Sequence, residues 1–130
     1  MKKIVSLLCA ALCLTLLLAA CGAKVPEGME EEKVKAAAEA TVKQLDARDY
    51  EALMDTMDDT LKGAMTAEEW AATWQPAADQ LGALVEIEKH SLVAKDGYAV
   101  DVAQAKFENG SLTFTLSYTT DYQLAGLFMK

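Results

Sequence analysis

The sequence predicts an α+β fold, with about three helices packed into the hollow of a bent four-stranded antiparallel sheet. Three observations predict it. Apolar residues recur at helical spacing up to Gly82, alternation with a period of two takes over after it, and three turn signals cut the second half into four strands.

The first helix is expected from about Met29 to Ala47. Glu30, Glu31 and Glu32 fall in its first turn, where negative charge suits the helix dipole. Val34, Ala38, Thr41, Val42 and Leu45 form a narrow stripe for burial. Arg48-Asp49 interrupt the pattern, and Tyr50, Leu53, Met54 and Met57 continue it in a short second helix. The neighbouring Asp55, Asp58 and Asp59 neither alternate nor flank a central glycine, as calcium ligands in a loop do, so a solvated face is expected and no metal site. The third helix opens at Thr66-Ala67-Glu68-Glu69, where Thr66 and Glu69 have capping-box spacing. Trp70, Trp74, Ala77 and Leu81 then share a face. Pro76 lacks an amide and should kink or end the regular helix, and Gly82 should stop it.

Asp96-Gly97 and Asn109-Gly110 read as hairpin turns that tolerate positive φ, and Thr120-Asp121 as a third turn. They bound strands at about Leu84–Lys95, Tyr98–Phe107, Ser111–Thr119 and Tyr122–Met129. The third is the clearest, with Leu112, Phe114, Leu116 and Tyr118 on one face and Thr113, Thr115, Ser117 and Thr119 on the other. The second is out of phase with itself: Tyr98, Val100 and Val102 are even, Ala105 and Phe107 odd. A β-bulge near Ala103 or Gln104 would reconcile them and keep Asp101 outside. In Glu86-Ile87-Glu88-Lys89-His90 the alternation puts His90 on the wet face.

The beginning of the chain carries an address. Lys2 and Lys3 precede an uncharged apolar run from Ile4 to Ala20, short for a permanent span. Leu18-Ala19-Ala20-Cys21 resembles the lipobox of bacterial lipoproteins, which implies cleavage after Ala20 and lipid on Cys21. Cys9 and Cys13 leave with the leader, so no thiol remains for a disulfide or a metal. The organisation expected is a signal peptide over 1–20, a lipidated tether over 21–28 and one α+β domain over 29–130, held at the extracytoplasmic face of the cell membrane. Losing Lys2 and Lys3 moves the net charge from −8 to −10. That balance argues against nucleic acid, whose phosphates need clustered Lys and Arg, and against adsorption on anionic lipid.

The order of elements, the Ala-rich first helix, Asp49-Tyr50-Glu51-Ala52-Leu53, Leu81-Gly82 leading into the sheet and the closing Leu124-Ala125-Gly126-Leu127-Phe128 resemble the nuclear transport factor two-like fold. More narrowly, the chain from Met29 on is similar to an uncharacterised bacterial family of that fold, common in lipoproteins and sometimes fused ahead of α/β-hydrolases. The resemblance implies a cone-shaped domain and brings no catalytic residues with it.

Three classes of function follow. The first is a non-enzymatic domain without a cofactor, binding a small molecule, a peptide or a protein at the membrane surface, with Tyr50, Trp70, Trp74, Phe114 and Tyr118 as candidate pocket residues. The second is a small enzyme using the cone, an isomerase, a dehydratase or a hydrolase accessory. Its parts are few: His90 is the single histidine, with Glu88 or Asp101 as conceivable acid–base partners, and no Gly-x-Ser-x-Gly elbow is present. The third is a homodimer formed through the mildly polar Thr113–Thr119 face of the sheet.

Overall fold

The computed structural model describes residues 24–130, so the leader, the lipobox and Cys21 lie outside the described residues. Four helices precede four strands: α1 (Glu31–Asp46), α2 (Tyr50–Asp55), α3 (Asp59–Ala64), α4 (Ala67–Leu81), β1 (Leu84–Lys95), β2 (Tyr98–Phe107), β3 (Gly110–Tyr118) and β4 (Leu124–Met129). The strands form one open antiparallel sheet in the order β1-β2-β3-β4, with the helices against one face. This α+β architecture is consistent with a nuclear transport factor two-like roll.

The stripe read from α1 is buried as a set: Val34, Ala38, Thr41, Val42 and Leu45. Arg48 ends that helical run with φ of 58°, and the Asp49 carboxylate caps α2 by accepting from the Ala52 amide at 3.2 Å. A fourth helix, α3, was not separated in the sequence because it buries no residue fully and so carries no apolar stripe. Its cap is Asp58, whose carboxylate accepts from the Leu61 amide at 2.9 Å, which gives that aspartate a structural task. The capping box at Thr66 and Glu69 is formed in both directions. Pro76 neither ends nor interrupts α4, which continues to Leu81. Gly82 then turns the chain at φ of 76°, and a Cβ there would stand 3.1 Å from Glu108 Cβ.

Two expectations about the sheet are corrected. The bulge lies in β1 and not in β2. Pairing of β2 with β3 runs without a break from Ala99↔Tyr118 to Phe107↔Gly110. Pairing of β1 with β2 slips twice, leaving Val85 and Glu88 as extra residues. With β2 regular, its odd positions Ala99, Asp101, Ala103, Ala105 and Phe107 are all buried, so Asp101 points inward. Val100 and Val102 are half-buried and Tyr98 exposed, all on the outer face. The bulge at Glu88 likewise turns His90 inward with Ile87, two residues separating them instead of one. The β1–β2 hairpin has positive φ at Asp96 and Gly97, as a tight two-residue turn requires. In the β2–β3 hairpin the turn residues are Glu108 and Asn109, neither at positive φ, and Gly110 already pairs in β3.

The folded part starts earlier than the sequence suggests. Val25 packs against the core, Met29 is buried, and the Glu30 amide donates to the Tyr122 hydroxyl at 2.8 Å. The domain therefore begins at Val25.

Candidate functional site

Between the helices and the sheet, the interior has an aromatic part and a polar part. In the aromatic part Trp74 of α4 meets Phe107 and Phe114 with ring centroids 6.0 Å apart, and the two phenylalanines lie 6.4 Å from each other. The rings are tilted by 45–54° to one another, between offset stacking and the edge-to-face limit, at the centroid distances that aromatic pairs favour. Of the five candidate pocket residues, Trp70, Trp74, Phe114 and Tyr118 are core residues, each at most 3% exposed. Tyr50 is half-buried and borders a surface hollow between α2 and α4, with Arg48, Glu51, Glu68 and Gln75. The indole N–H groups of Trp70 and Trp74 and the Tyr50 hydroxyl are buried without a hydrogen-bond partner among the described residues.

The polar part is built by four elements, α1, β1, β2 and β3. Thr41 of α1 donates to the Ala37 carbonyl at 3.0 Å, which leaves its oxygen to accept from the Tyr118 hydroxyl at 2.8 Å. Burial pushes the Tyr118 hydroxyl well above the usual tyrosine range, the Thr41 hydrogen bond opposes this, and the charge on Asp101 adds to it. Tyr118 is therefore a permanent donor here. His90 and Asp101 are diagonal neighbours on the inner face, since His90 pairs with Ala103 and Asp101 with Leu92. His90 Nδ1 is 2.5 Å from Asp101 Oδ2, and Nε2 is 3.6 Å from a carboxylate oxygen of Glu39 on α1. Facing a carboxylate, Nδ1 carries the hydrogen and donates it. Asp101 is fully buried, and its other oxygen, Oδ1, has no hydrogen-bond partner among the described residues. Loss of hydration drives the Asp101 carboxyl above its ordinary range, against the hydrogen bond and charge of His90, the Ser91 backbone and Lys35.

Of the two conceivable partners for His90, the structure pairs it with Asp101, while Glu88 stays exposed and apart; misplacing one bulge had put both His90 and Asp101 on the outer face. The signal was available: Ala99, Asp101, Ala103, Ala105 and Phe107 form an unbroken period of two, masked by valines on the opposite face. Chemically, the pair is a histidine oriented by a buried carboxylate, able to hold a proton and to stabilise an imidazolium. A shallow hollow bordered by Lys24, Glu31, Lys35, His90 and Ser91 opens beside it. Among the described residues no three His, Cys, Asp or Glu side chains are grouped to hold a metal ion, and no helix is long and apolar enough to cross a membrane.

No curated protein matches the chain. An NMR structure of a protein from Ruminococcus gnavus ATCC 29149 is similar to it, with 25% identity and a TM-score of 0.68, covering 81% of this chain and 95% of that one. The DUF3887 family, described as a protein of unknown function, matches residues 38–127. That span runs from the middle of α1 to β4 and includes the aromatic cluster, Thr41, Tyr118, His90 and Asp101, so the chain belongs to the DUF3887 family.

Proposed function

We propose that the protein is a lipid-anchored extracytoplasmic domain that binds a partner and does not catalyse a reaction. The observation that supports this reading is the aromatic packing between helices and sheet, where the buried Trp74, Phe107 and Phe114 lie ring against ring at 6.0–6.4 Å. Surface contact remains open to it. The hollow beside Tyr50, between α2 and α4, offers an aromatic edge among charged groups to a peptide or a small polar molecule. The anchor is supported by Leu18-Ala19-Ala20-Cys21 and by the start of the folded domain at Val25, which leaves a very short link to Cys21.

A second reading is favoured by one specific observation. His90 is held by the buried Asp101 and borders a polar hollow, an arrangement that could serve acid–base catalysis. One experiment separates the two. Asp101→Asn keeps an acceptor for the His90 N–H and removes the charge, and losing an acid–base group costs about 10²–10⁴ in rate. For a binding domain, this variant should rescue a gene deletion as well as the unaltered chain does when folded protein is matched by circular dichroism. A folded variant that behaves as the deletion would instead establish catalysis. The anchor has its own test: Cys21→Ala should abolish labelling by radioactive fatty acid, and persistent labelling would refute it.

A further inference from the structure

The outer face of the sheet differs in charge from the molecule around it. The register of the strands brings Lys89, Lys95, Lys106 and Lys130 onto this face, all exposed and, among the described residues, none of them ion-paired. Against these four stand Glu86 and Glu88, with Asp58 and Asp96 at the margin. The whole chain carries 20 acidic residues and 12 basic ones, so the acidity is concentrated on the helical side.

The same face exposes apolar side chains. Val93 is 47% exposed, Tyr98 41% and Phe128 69%. Val93 pairs with the half-buried Val100, and Val102 lies in the next row, across Thr115 from Phe128. Aliphatic and aromatic groups fringed by lysines are the composition of a surface that rests in the headgroup region of a bilayer.

We propose that this face lies on an anionic bilayer, with Phe128, Tyr98 and Val93 at the headgroup boundary and the helices turned away. The inference rests on the reading that Cys21 carries lipid. The length of chain outside the folded domain then forces the issue. From Cys21 to Val25 the backbone can span at most about 14 Å, and screening at physiological salt acts over about 8 Å. A domain held that close must present some face to the headgroups. Its acidic helical side is repelled, and the outer sheet face, with four lysines against two glutamates, carries the more positive balance of the two. Lys24, at the border of the hollow beside Ser91 and Leu92, places the start of the domain at the β1 edge of this sheet. Net charge, which argued against contact with anionic lipid, is an average over two unlike faces. The orientation leaves the hollow beside Tyr50 facing outward for a partner.

The full-length lipoprotein, purified and reconstituted into vesicles, tests this. The vesicles are equal parts phosphatidylglycerol and phosphatidylcholine, or phosphatidylcholine alone. With Cys21 blocked by lipid, a fluorophore is attached at Phe128→Cys or, on α2, at Asp55→Cys. Quenching by headgroup-labelled lipid should be several-fold stronger at position 128 than at 55 in the anionic vesicles. Each lysine near such a surface is worth roughly a factor of five, so Lys89→Glu with Lys106→Glu should reduce the face-down population at least ~25-fold. High salt on the unmodified chain applies the same test without any risk to folding. Equal quenching at the two positions overturns the orientation. Shielding at position 128 that follows protein density and persists in neutral vesicles also overturns it, because a second copy would then cover the face. A chain that does not float with the vesicles at all refutes the anchor, an outcome distinct from flotation with equal quenching.

Discussion

The two parts of the interior are stabilised in opposite ways. Around Trp74, Phe107 and Phe114 the packing is apolar and insensitive to pH. Around Thr41, Tyr118, His90 and Asp101 a threonine and a tyrosine satisfy one another, while a carboxylate is buried with one oxygen unpartnered. Burying apolar area is favourable wherever it happens, whereas burying a charge is favourable only with its counterion in place. The aromatic part should therefore carry most of the stability and the His90–Asp101 pair its dependence on pH.

The largest effect is expected from Trp74→Ala, which should cost about 3–5 kcal/mol in chemical denaturation, as deleting a buried large aromatic does. A loss below 1 kcal/mol with a preserved fold would mean that the indole lines a pocket and does not pack the core. His90→Ala follows. It leaves the Asp101 carboxylate without its partner and should cost about 3 kcal/mol at neutral pH. The cost should shrink in acid, where a protonated Asp101 needs no counterion. Tyr118→Phe removes one buried hydrogen bond while Thr41 keeps the Ala37 carbonyl, so about 1 kcal/mol is expected. Smallest of all is Val93→Ser on the outer face of the sheet, expected to stay within about 0.5 kcal/mol by thermal melting. If Tyr118→Phe proved costlier than His90→Ala, the contrast between the neutral and the ionisable pair would fail.

The burial of the aromatic part was legible in the sequence and that of the ionisable pair was not, for a physical reason. Trp70 and Trp74 sit four apart on a capped helix, and Phe114, Leu116 and Tyr118 alternate strictly with polar residues, so periodicity alone assigns their burial. The α1 stripe followed from the same rule. Strand β2 carries apolar residues on both faces, because its outer valines lie on a face that is only partly wet. Periodicity then loses its contrast, and a buried aspartate reads as misplaced. The phase mismatch does signal a bulge, but a slip in the neighbouring strand produces the same mismatch. Helix α3 is not legible because a capped turn with no buried stripe has no periodic signature. The opposite polarity of the two sheet faces became visible only once the register had placed the lysines together.

The most direct test compares the pH dependence of unfolding in the unaltered chain and in Asp101→Asn. The folded state raises the Asp101 carboxyl above its ordinary 3.8, so between that value and the elevated one the folded chain binds more protons than the unfolded chain. Stability from this group is fully present below pH 3.8 and is lost as the pH rises through the elevated value. The free energy of unfolding, measured by urea denaturation at successive pH values, should therefore fall with rising pH more steeply in the unaltered chain than in Asp101→Asn, which cannot ionise there. Parallel curves would contradict the assignment of pH sensitivity to the buried pair.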